Sequence, residues 1–453
     1  MLKIIILFGV SIMKNKSIFK RFFIGITIII IGICTYKVVE ENNYTNNKIG
    51  NYIEETSGVN VNKVSDDIIS LPEESIVNIA EKEEERIETI EIMAIGDLLM
   101  HIDIVQAMYD WNSNTYNFDY NFELIKDYLS EADLTIANLE TTLAGEESGY
   151  SGYPCFNTPD ELADSLKKAG VDIISNISNH SLDKGEYGFL RTRKVLKEKG
   201  FDVIGTRETE EESRYIIKEI NGIRVGITSY SYTTEGYEGG RGLNGIPIPE
   251  ELSGLMNTFN PYDVENDLLA MKREIDKMKK DNVDAIVFYM HWGEEYQLEH
   301  NESQIKIANF LAEEGVDIIF GDHPHTIQPI DIIESEDGEH STVVVYSLGN
   351  FISSQRTESI GNPYTEDGLM VSVNITKNFK TGKVEVGMPK YLPTWVKLNI
   401  LNGNYYYQVV PATENDTEYL DYYQSIRVDE SFDRTFGIVE SYNGDVVEVW
   451  SSN

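Results

Sequence analysis

The chain has 453 residues, of which 41% are hydrophobic and 11% aromatic, and its 38 basic and 76 acidic side chains give a formal net charge of −38. This composition excludes collagenous, disulfide-rich and wholly disordered proteins, and the length accommodates one large α/β domain with appendages. Such an acidic surface repels nucleic acid and anionic lipid headgroups, so we expect no nucleic-acid partner.

Residues 1–39 are predicted to form a cytoplasmic tail and a transmembrane anchor. The apolar stretch at residues 22–39 follows four basic residues and precedes two glutamates. A helix of this length spans about 27 Å, close to the thickness of a bilayer's hydrocarbon core. The positive-inside rule then places the N-terminus in the cytoplasm and predicts a single-pass cell-membrane protein with an extracytoplasmic C-terminal domain. Because the first alanine is Ala80, an uncleaved anchor is favoured over a signal peptide with a small-residue cleavage site.

Residues 40–89 are predicted to be a flexible acidic stalk. Residues 40–91 contain fourteen acidic and four basic residues, with Tyr44 and Tyr52 as the aromatic ones. A high charge with so few large apolar side chains is typical of a solvated chain that cannot form a core. Such a stalk holds the following domain away from the membrane.

From residue 90 onward, apolar runs alternate with amphipathic stretches at the spacing of βα units, which predicts an α/β domain with a parallel sheet at residues 90–376. The predicted strands are IEIMAI, LTIAN, VDIISN, FDVIG, VGITSYSY, VDAIVFYM, VDIIF and TVVVYSL. The predicted helices cover residues 161–169, 187–199, 264–280 and 302–313. The glycine-rich residues 233–263 are predicted to be a lid or a disordered loop. Residues 377–453 are predicted to be a small β extension that closes with FGIVESY and DVVEVW.

Polar side chains follow six of the predicted strands directly. Ligands of open α/β sheets bind beyond the carboxyl ends of the strands, so these side chains are candidates for one shared site. Five of the seven histidines of the chain fall at these ends: His101, His180, His291, His323 and His325. The acidic and amide side chains there are Asp97, Asn138, Glu140, Asn179, Asp183, Glu294, Glu295, Asp322 and Asn350.

Imidazole, carboxylate and amide groups without thiolates suit divalent manganese, zinc or iron. Two such ions about 3.5–4 Å apart can be bridged by one carboxylate and can activate a water molecule. The strongest indication is the pair His323 and His325, because side chains two residues apart point the same way in extended backbone. Other members have structural alternatives, since Asp97 suits a turn or a helix cap, Asp183 an N-cap, and His291 a hydrogen-bonded core position.

Six segments together resemble the bacterial capsule-synthesis CapA family, the poly-γ-glutamate biosynthesis proteins. The segments are IGDLLMH from Ile95, ANLET from Ala137, SNHSLDKGEYG from Ser178, HWGEEY from His291, GDHPHTIQP from Gly321 and YSLGNF from Tyr346. They occur in the family's order over roughly residues 92–375. The resemblance implies a layered metallophosphatase-like α/β sandwich, similar to calcineurin-like metallophosphoesterases, with two metal ions at the strand ends.

The resemblance also implies roles for individual residues. It places Asp97 on one metal, Glu140 between the two metals and Asn179 on the second metal. His291, His323 and His325 complete the coordination, and His180, with Asp183, is the candidate catalytic residue as an acid or phosphate-polarising group. Additional candidate ligands are His101, Glu294, Glu295 and Asn350. The chain departs from the metallophosphoesterase pattern in two places, because a histidine follows Asp97 after four residues rather than two and Glu140 stands where those enzymes have a bridging aspartate.

Three functions remain open from the sequence. The first is a membrane-anchored extracytoplasmic component of poly-γ-glutamate or capsule polymer synthesis or export, with an anionic polymer or its precursor and other membrane proteins of the complex as partners. The second is a metal-dependent hydrolase of phosphoesters or amides in cell-surface polymers. The third is a catalytically inactive polymer-binding scaffold. Because both polymer and protein are anionic, cations or the loop that carries Arg241 would have to mediate their contact.

Overall fold

The computed structural model describes residues 86–335, 338, 340–401, 403–413, 419–443 and 447–450. The predicted anchor and nearly all of the predicted stalk lie outside the described residues. Among the residues described, no helix is long and apolar enough to cross a membrane. The described residues fall within one compact unit, Glu85–Asn453.

The described residues form twenty-two strands, which are numbered here along the chain. The first eleven are β1 (Ile87–Leu98), β2 (Tyr109–Asp110), β3 (Thr115–Tyr116), β4 (Leu134–Leu139), β5 (Ile173–Ser175), β6 (Asp202–Ile204), β7 (Ile216–Ile220), β8 (Ile223–Tyr232), β9 (Thr234–Glu235), β10 (Arg241–Leu243) and β11 (Ile246–Pro247). The next eleven are β12 (Thr258–Phe259), β13 (Ala285–His291), β14 (Ile318–Asp322), β15 (Ile327–Glu334), β16 (Ser341–Leu348), β17 (Asn350–Ile352), β18 (Asp367–Asn378), β19 (Val384–Val386), β20 (Lys390–Leu401), β21 (Asn404–Pro411) and β22 (Glu448–Val449).

Helices lie between these strands. The α-helices are α1 (Ile102–Ala107), α2 (Asp119–Phe122), α3 (Lys126–Leu129), α4 (Glu161–Ala169), α5 (Gly185–Glu198), α6 (Glu250–Ser253), α7 (Glu265–Lys280), α8 (Glu302–Glu313), α9 (Thr357–Ile360) and α10 (Tyr422–Asn443). Two 3₁₀ turns cover Glu146–Ser148 and Pro363–Glu366. The eight predicted strands and the four predicted helices are confirmed, and the predicted bounds of α4 and α8 coincide with the observed ones.

The prediction of one parallel sheet is wrong, because the strands divide between two mixed sheets. The larger sheet has the order β21-β20-β18-β1-β4-β5-β6, in which β1, β4, β5 and β6 are parallel and β18, β20 and β21 are antiparallel additions. The smaller sheet has the order β12-β8-β13-β14-β16-β15, with β7 paired to β8. Short connections such as the one between β20 and β21 leave no room for a crossover helix and therefore join antiparallel strands.

The two sheets pack face to face with helices outside them. Alternate residues of β1 point to opposite sides: Ile92 and Ala94 join the core between the sheets, whereas Met93 and Ile95 join the core beneath α4 and α5. A third core lies between the smaller sheet and helices α7 and α8, and includes Met271. The layers are therefore helix, sheet, sheet and helix, in agreement with a layered α/β sandwich.

The C-terminal region departs from the predicted β extension. Strands β20 and β21 belong to the larger sheet itself, and β18 runs across the predicted boundary at residue 376. The segment FGIVESY, predicted as β, lies within helix α10. The buried positions Val428, Ser431, Thr435 and Val439 recur every three or four residues, which is the period of a helix rather than a strand.

Buried ion pairs attach α10 to the larger sheet. Arg434 binds the carboxylate of Asp367 with two nitrogens at 2.7 Å. Arg427 and Arg356 both donate to Glu366, at 2.5 and 2.9 Å, and Glu366 is fully buried. The ion pairs thus hold α10 against β18 and β20 of the larger sheet, and the helix also contacts β15 of the smaller sheet. The carboxylates of these pairs are buried, whereas the side chain of Arg427 is partly exposed.

Candidate metal centre

The side chains of the candidate site lie at the carboxyl ends of strands from both sheets. In the larger sheet Asp97 of β1 is paired with Asn138 of β4, and Glu140 follows β4 by one residue. In the smaller sheet His291 of β13 is paired with Asp322 of β14. Because the two sheets face each other, these two pairs of strand ends meet, and all five side chains are completely buried.

Three overlapping groups of side chains have ligand atoms close enough to hold a cation. The groups are Asp97, Glu140 and His325; Glu140, His291 and His323; and Asp97, His291 and Asp322, with all ligand atoms of a group within 4.8 Å of one another. Glu140 belongs to the first two groups. Its Oε2 lies 3.8 Å from Nδ1 of His325 and its Oε1 lies 3.6 Å from Nε2 of His291. Glu140 thus directs one oxygen towards each of the two groups, as a carboxylate that is shared by two cations must.

Buried atoms without partners show that the residues fit divalent cations. Both carboxylate oxygens of Glu140, Oδ2 of Asp322 and Nδ1 of His323 have no hydrogen-bond partner among the described residues. Native proteins rarely leave buried polar atoms unpaired, because each costs about 1–3 kcal/mol. Nitrogen and oxygen donors without sulfur suit manganese, zinc or iron. The metal site predicted from the sequence is therefore supported by its donor set, while the identity and number of ions stay a prediction.

The pKa values of the three buried carboxyl groups diverge in the metal-free protein. Burial, followed by the charges of Asp97 and Asp322, raises the pKa of Glu140 well above its ordinary value. Burial and the charge of Asp97 likewise raise the pKa of Asp322. Burial also acts to raise the pKa of Asp97, but the hydrogen bond and charge of His325 outweigh it and lower the pKa. One acid is thus kept ionised while two are driven towards the protonated form.

Burial keeps His291 and His323 neutral. It lowers the pKa of His291 to about 3 and that of His323 well below the ordinary value. A neutral imidazole retains a lone pair for a metal, whereas a protonated one would repel it.

Polar neighbours fix the orientation of the ligands. Asp322 Oδ1 lies 2.7 Å from Nδ1 of His291, so the other ring nitrogen faces Glu140 and Asn179. Asn179 donates from Nδ2 to Asn244 at 3.1 Å, which turns its Oδ1 towards Nε2 of His291 at 2.9 Å. Carboxylate and amide groups that orient ligands in this way determine the affinity of many metal sites.

His323 and His325 reach the centre by an unexpected backbone conformation. The prediction assumed extended backbone, but φ is 95° at His323 and 57° at His325. Left-handed conformations cost free energy in residues other than glycine and are concentrated at functional sites. Asn350, an additional candidate ligand, contacts His325, with its Oδ1 3.1 Å from Nδ1.

The predicted catalytic residues His180 and Asp183 form a buried pair beside Asn179. Nδ1 of His180 lies 2.7 Å from Oδ2 of Asp183, and this oxygen also accepts a hydrogen bond from the backbone N–H of Phe156 at 2.6 Å. Asp183 therefore fixes the ring of His180 so that Nε2 is the nitrogen available to give or take a proton. The Asn244 amide nitrogen lies 3.3 Å from Nε2.

The remaining additional candidates do not join the ligand groups. His101 packs edge to face against Phe156, its Nδ1 lies 3.2 Å from the carbonyl oxygen of Leu99, and burial lowers its pKa to about 4. Glu294 and Glu295 are exposed and line a cavity of about 790 Å³ that also touches His323.

This cavity, which we call the acidic groove, opens beside the centre. Its acidic lining residues are Asp263, Glu265, Glu294, Glu295 and Glu302. The basic residue that lines it, Lys306, is paired with Glu265 at 2.5 Å. Arg241, proposed to contact the polymer, is paired with Asp267 at 2.7 Å.

Sequence reasoning missed roles for Asp322, Asn244 and Tyr232. The coordination expected from the sequence gives Asp322 no role, although its place at a strand end directly before the motif His323-Pro324-His325 is a signal for one. Asn244 comes from residues 233–263, predicted as a lid or disordered loop, which instead contain the short strands β9, β10 and β11 and helix α6. The ring of Tyr232 lies 4.5 Å from that of His323, and no local pattern marks either Tyr232 or Asn244 as part of the site.

Comparison with known proteins places this centre within a matched region. Residues 91–355 match the family model described as bacterial capsule synthesis protein PGA_cap. The chain is 28% identical over 296 residues to the capsule biosynthesis protein CapA of Bacillus anthracis, covering 64% of this chain and 65% of that protein. It is 27% identical over 274 residues to the PGA biosynthesis protein CapA of Bacillus subtilis (strain 168), covering 59% of this chain and 64% of that protein. The chain thus spans slightly less than two thirds of these relatives.

Among solved structures, the chain is similar to that of a Staphylococcus aureus protein described as a putative 5'-nucleotidase. The two share 14% sequence identity with a TM-score of 0.40, over 76% of this chain and 58% of that one.

Proposed function

Because the chain belongs to the PGA_cap family of bacterial capsule synthesis proteins, we propose that it acts in the synthesis or export of poly-γ-glutamate or a related capsule polymer. The observation that carries this proposal is the family match over residues 91–355, which contains every candidate ligand. The anchor at residues 22–39 belongs to the proposal: it would tether the domain to the outer face of the cell membrane, next to other membrane proteins of a capsule complex.

We further propose that the centre holds two divalent cations. Asp97, Glu140 and His325 would hold one, and Glu140, His291 and His323, with Oδ1 of Asn179, would hold the other. Bound cations would supply Lewis acidity and neutralise the buried carboxylates. The chain's own contribution is to exclude water from the ligands, to keep the imidazoles of His291 and His323 neutral and to orient the amide of Asn179.

A second candidate function, a metallophosphatase-like hydrolase, is favoured by the pair of His180 and Asp183. The hydrogen bond to Asp183 holds the imidazole in place, so Nε2 of His180 can deliver a proton to a leaving group at the centre. The acidic groove beside His323 favours a substrate that carries no dense negative charge there, so an anionic polymer would need cations to approach.

Deletion of the gene in a polymer-producing strain tests the first proposal. We expect surface polymer to be lost and to be restored by the wild-type gene and by Glu131→Gln, a substitution at an exposed position. Glu140→Gln, which removes the shared carboxylate, should fail to restore it. Unchanged surface polymer after deletion would contradict the proposed function.

The hydrolase is tested with the full-length protein loaded with manganese, zinc or iron. Elemental analysis measures bound metal, and turnover is assayed on generic phosphodiesters and on amide-linked polymer. His180→Asn should retain metal and lose turnover, whereas His323→Ala should lose both. Metal without turnover in the wild type would favour a polymer-binding scaffold, and protein that cannot be loaded would eliminate the hydrolase.

A further inference from the structure

A second cavity, away from the metal centre, is lined by exposed aromatic side chains. It has a volume of about 800 Å³, within the range of small-molecule clefts. Its lining includes Trp111, whose surface is 82% exposed, and Tyr405, which is 48% exposed. Exposed rings of this size, grouped on one surface, usually mark a binding site rather than a chance arrangement. We call this cavity the aromatic cleft.

The hairpin of β2 and β3 presents Trp111 in a defined position. Asp110 accepts hydrogen bonds from the backbone N–H of Asn112 at 2.8 Å and from the hydroxyl of Ser113 at 3.0 Å, which fixes the turn. The ring of Tyr109 stands edge to face with that of Trp111, with centroids 4.9 Å apart. The indole is thus held in place without being buried, so a ligand that stacks on it loses little conformational freedom on binding.

The rings continue from Trp111 along one side of the cleft. Tyr116 lies 5.0 Å from Tyr109 and 5.3 Å from Tyr150 between ring centroids, so four rings follow one another in edge-to-face contact. Tyr405 and Tyr406 of β21 also line the cleft. An extended row of rings suits a chain of flat units rather than a single small molecule.

The charges of the cleft are of one sign. Asp103, Glu146 and Glu161 line it, and none of its described lining residues is lysine, arginine or histidine. Burial and the nearby carboxylates, that of Glu161 first, raise the pKa of Tyr150 to about 12. Asp103 is held in place by the hydroxyl of Tyr407, which donates to it at 2.5 Å. The cleft therefore repels anions and favours ligands with hydroxyl or ammonium donors.

We propose that the aromatic cleft binds a segment of an amino-sugar polysaccharide. The apolar C–H faces of pyranose rings stack on tryptophan and tyrosine, and their hydroxyl groups donate to carboxylate and amide oxygens at the rim. Ammonium groups on the sugar are attracted both to the carboxylates and to the faces of the rings. Poly-γ-glutamate, an anion without such faces, does not fit this cleft. The ligand proposed for the aromatic cleft is therefore different from the capsule polymer of the proposed function.

Binding to the full-length protein tests this inference directly. The probes are a glucosamine hexasaccharide, its fully N-acetylated counterpart, hexalysine and poly-γ-glutamate, each measured by calorimetry and by tryptophan emission. Trp111 is the most exposed tryptophan of the described residues, since Trp292 and Trp395 are 1% and 2% exposed and Trp450 is partly buried, and loss of the emission change in Trp111→Ala assigns the signal to it. We expect the glucosamine oligomer to bind about tenfold more tightly than the N-acetylated one, with a change in emission, and poly-γ-glutamate not to bind.

Two variants distinguish the contribution of aromatic stacking to saccharide binding from the contribution of the carboxylate charges. Trp111→Ala should weaken binding of both saccharides at least tenfold, and the double change Glu146→Gln and Glu161→Gln should abolish the preference for the amino form while weaker binding remains. Tyr423→Ala, at a position 78% exposed on α10, is the matched control and should change neither. Melting curves verify that each variant is folded. Absence of saccharide binding, tighter binding of hexalysine or poly-γ-glutamate, or full binding by Trp111→Ala would overturn the inference.

Discussion

Replacing Glu140 by glutamine is expected to stabilise the metal-free protein and to destabilise the metal-loaded one. Neither carboxylate oxygen of Glu140 has a hydrogen-bond partner in the described part of the chain, and both are buried. Burial and the charges of Asp97 and Asp322 raise its pKa. Glutamine has nearly the same shape without the charge. In the metal-free protein the substitution therefore removes the repulsion between Glu140 and the carboxylates of Asp97 and Asp322. In the metal-loaded protein it removes a ligand of the cations.

The effect in the metal-free protein depends on pH. Glutamate in the unfolded chain ionises near pH ~4.3, whereas the raised pKa keeps folded Glu140 protonated to higher pH. Above pH ~4.3, and up to the raised pKa, the wild type therefore loses stability as the pH rises, by at most about 1.4 kcal/mol per pH unit. The two proteins should differ by less than about 1 kcal/mol at pH 5, and the variant should be more stable by roughly 1–3 kcal/mol at pH 7.5.

Addition of a metal should invert this order. A cation present at one thousand times its Kd stabilises the folded state by about 4.1 kcal/mol, more than the variant's advantage, and most of this gain requires the carboxylate shared by the two ligand groups. Urea denaturation of the full-length protein, in EDTA and in manganese, measures both differences. Glu131→Gln at an exposed position is the control and should change the free energy of unfolding by less than about 0.5 kcal/mol. A Glu140 variant that is less stable than the wild type in EDTA at pH 7.5 would refute the reasoning.

Three further predictions follow from other contacts. Glu366→Gln removes a fully buried carboxylate from its ion pairs with Arg356 and Arg427 and should cost about 3–5 kcal/mol of stability in urea denaturation. The exposed Glu358→Gln should cost less than about 1 kcal/mol, and equal losses would contradict this reasoning. Uptake of manganese should release protons, because burial raises the pKa of Glu140 and of Asp322 and so favours their protonated forms in the metal-free protein. The affinity should therefore rise with pH, and a pH-stat titration that detects no proton release would argue against it. Asn244→Ala should weaken metal binding about tenfold in equilibrium dialysis, since the amide of Asn179 loses its orienting partner, and an unchanged Kd would count against that role.

Much of the site could be predicted from the sequence because strand ends in α/β proteins are marked locally. An apolar run followed directly by a polar residue is visible in the sequence, as at Asp97, Glu140 and His291, and strand order then brings these positions together. The histidines of the motif His323-Pro324-His325 both belong to candidate ligand groups, although their backbone is left-handed rather than extended. The division into two sheets was not predictable, because apolar periodicity shows that a strand is buried and not which strand lies beside it.

The errors concern contacts between segments distant in sequence. Asn244 acts through Asn179, 65 positions away, and nothing in its own neighbourhood distinguishes it from other turn residues. The β-like pattern of FGIVESY predicts a strand, but the segment lies within α10, whose buried residues recur with the period of a helix. Local propensity is weaker than such tertiary contacts.

The origin of the ligands in two different sheets has a practical consequence. Asp97 and Glu140 follow strands of the larger sheet, and His291 and His323 follow strands of the smaller one. Neither half of the sandwich offers all members of either proposed coordination sphere. The amount of metal that the protein binds when metal is supplied is therefore a gauge of correct assembly during refolding or storage. A preparation that keeps its helical signal but cannot take up ions has sheets that are not correctly docked on each other.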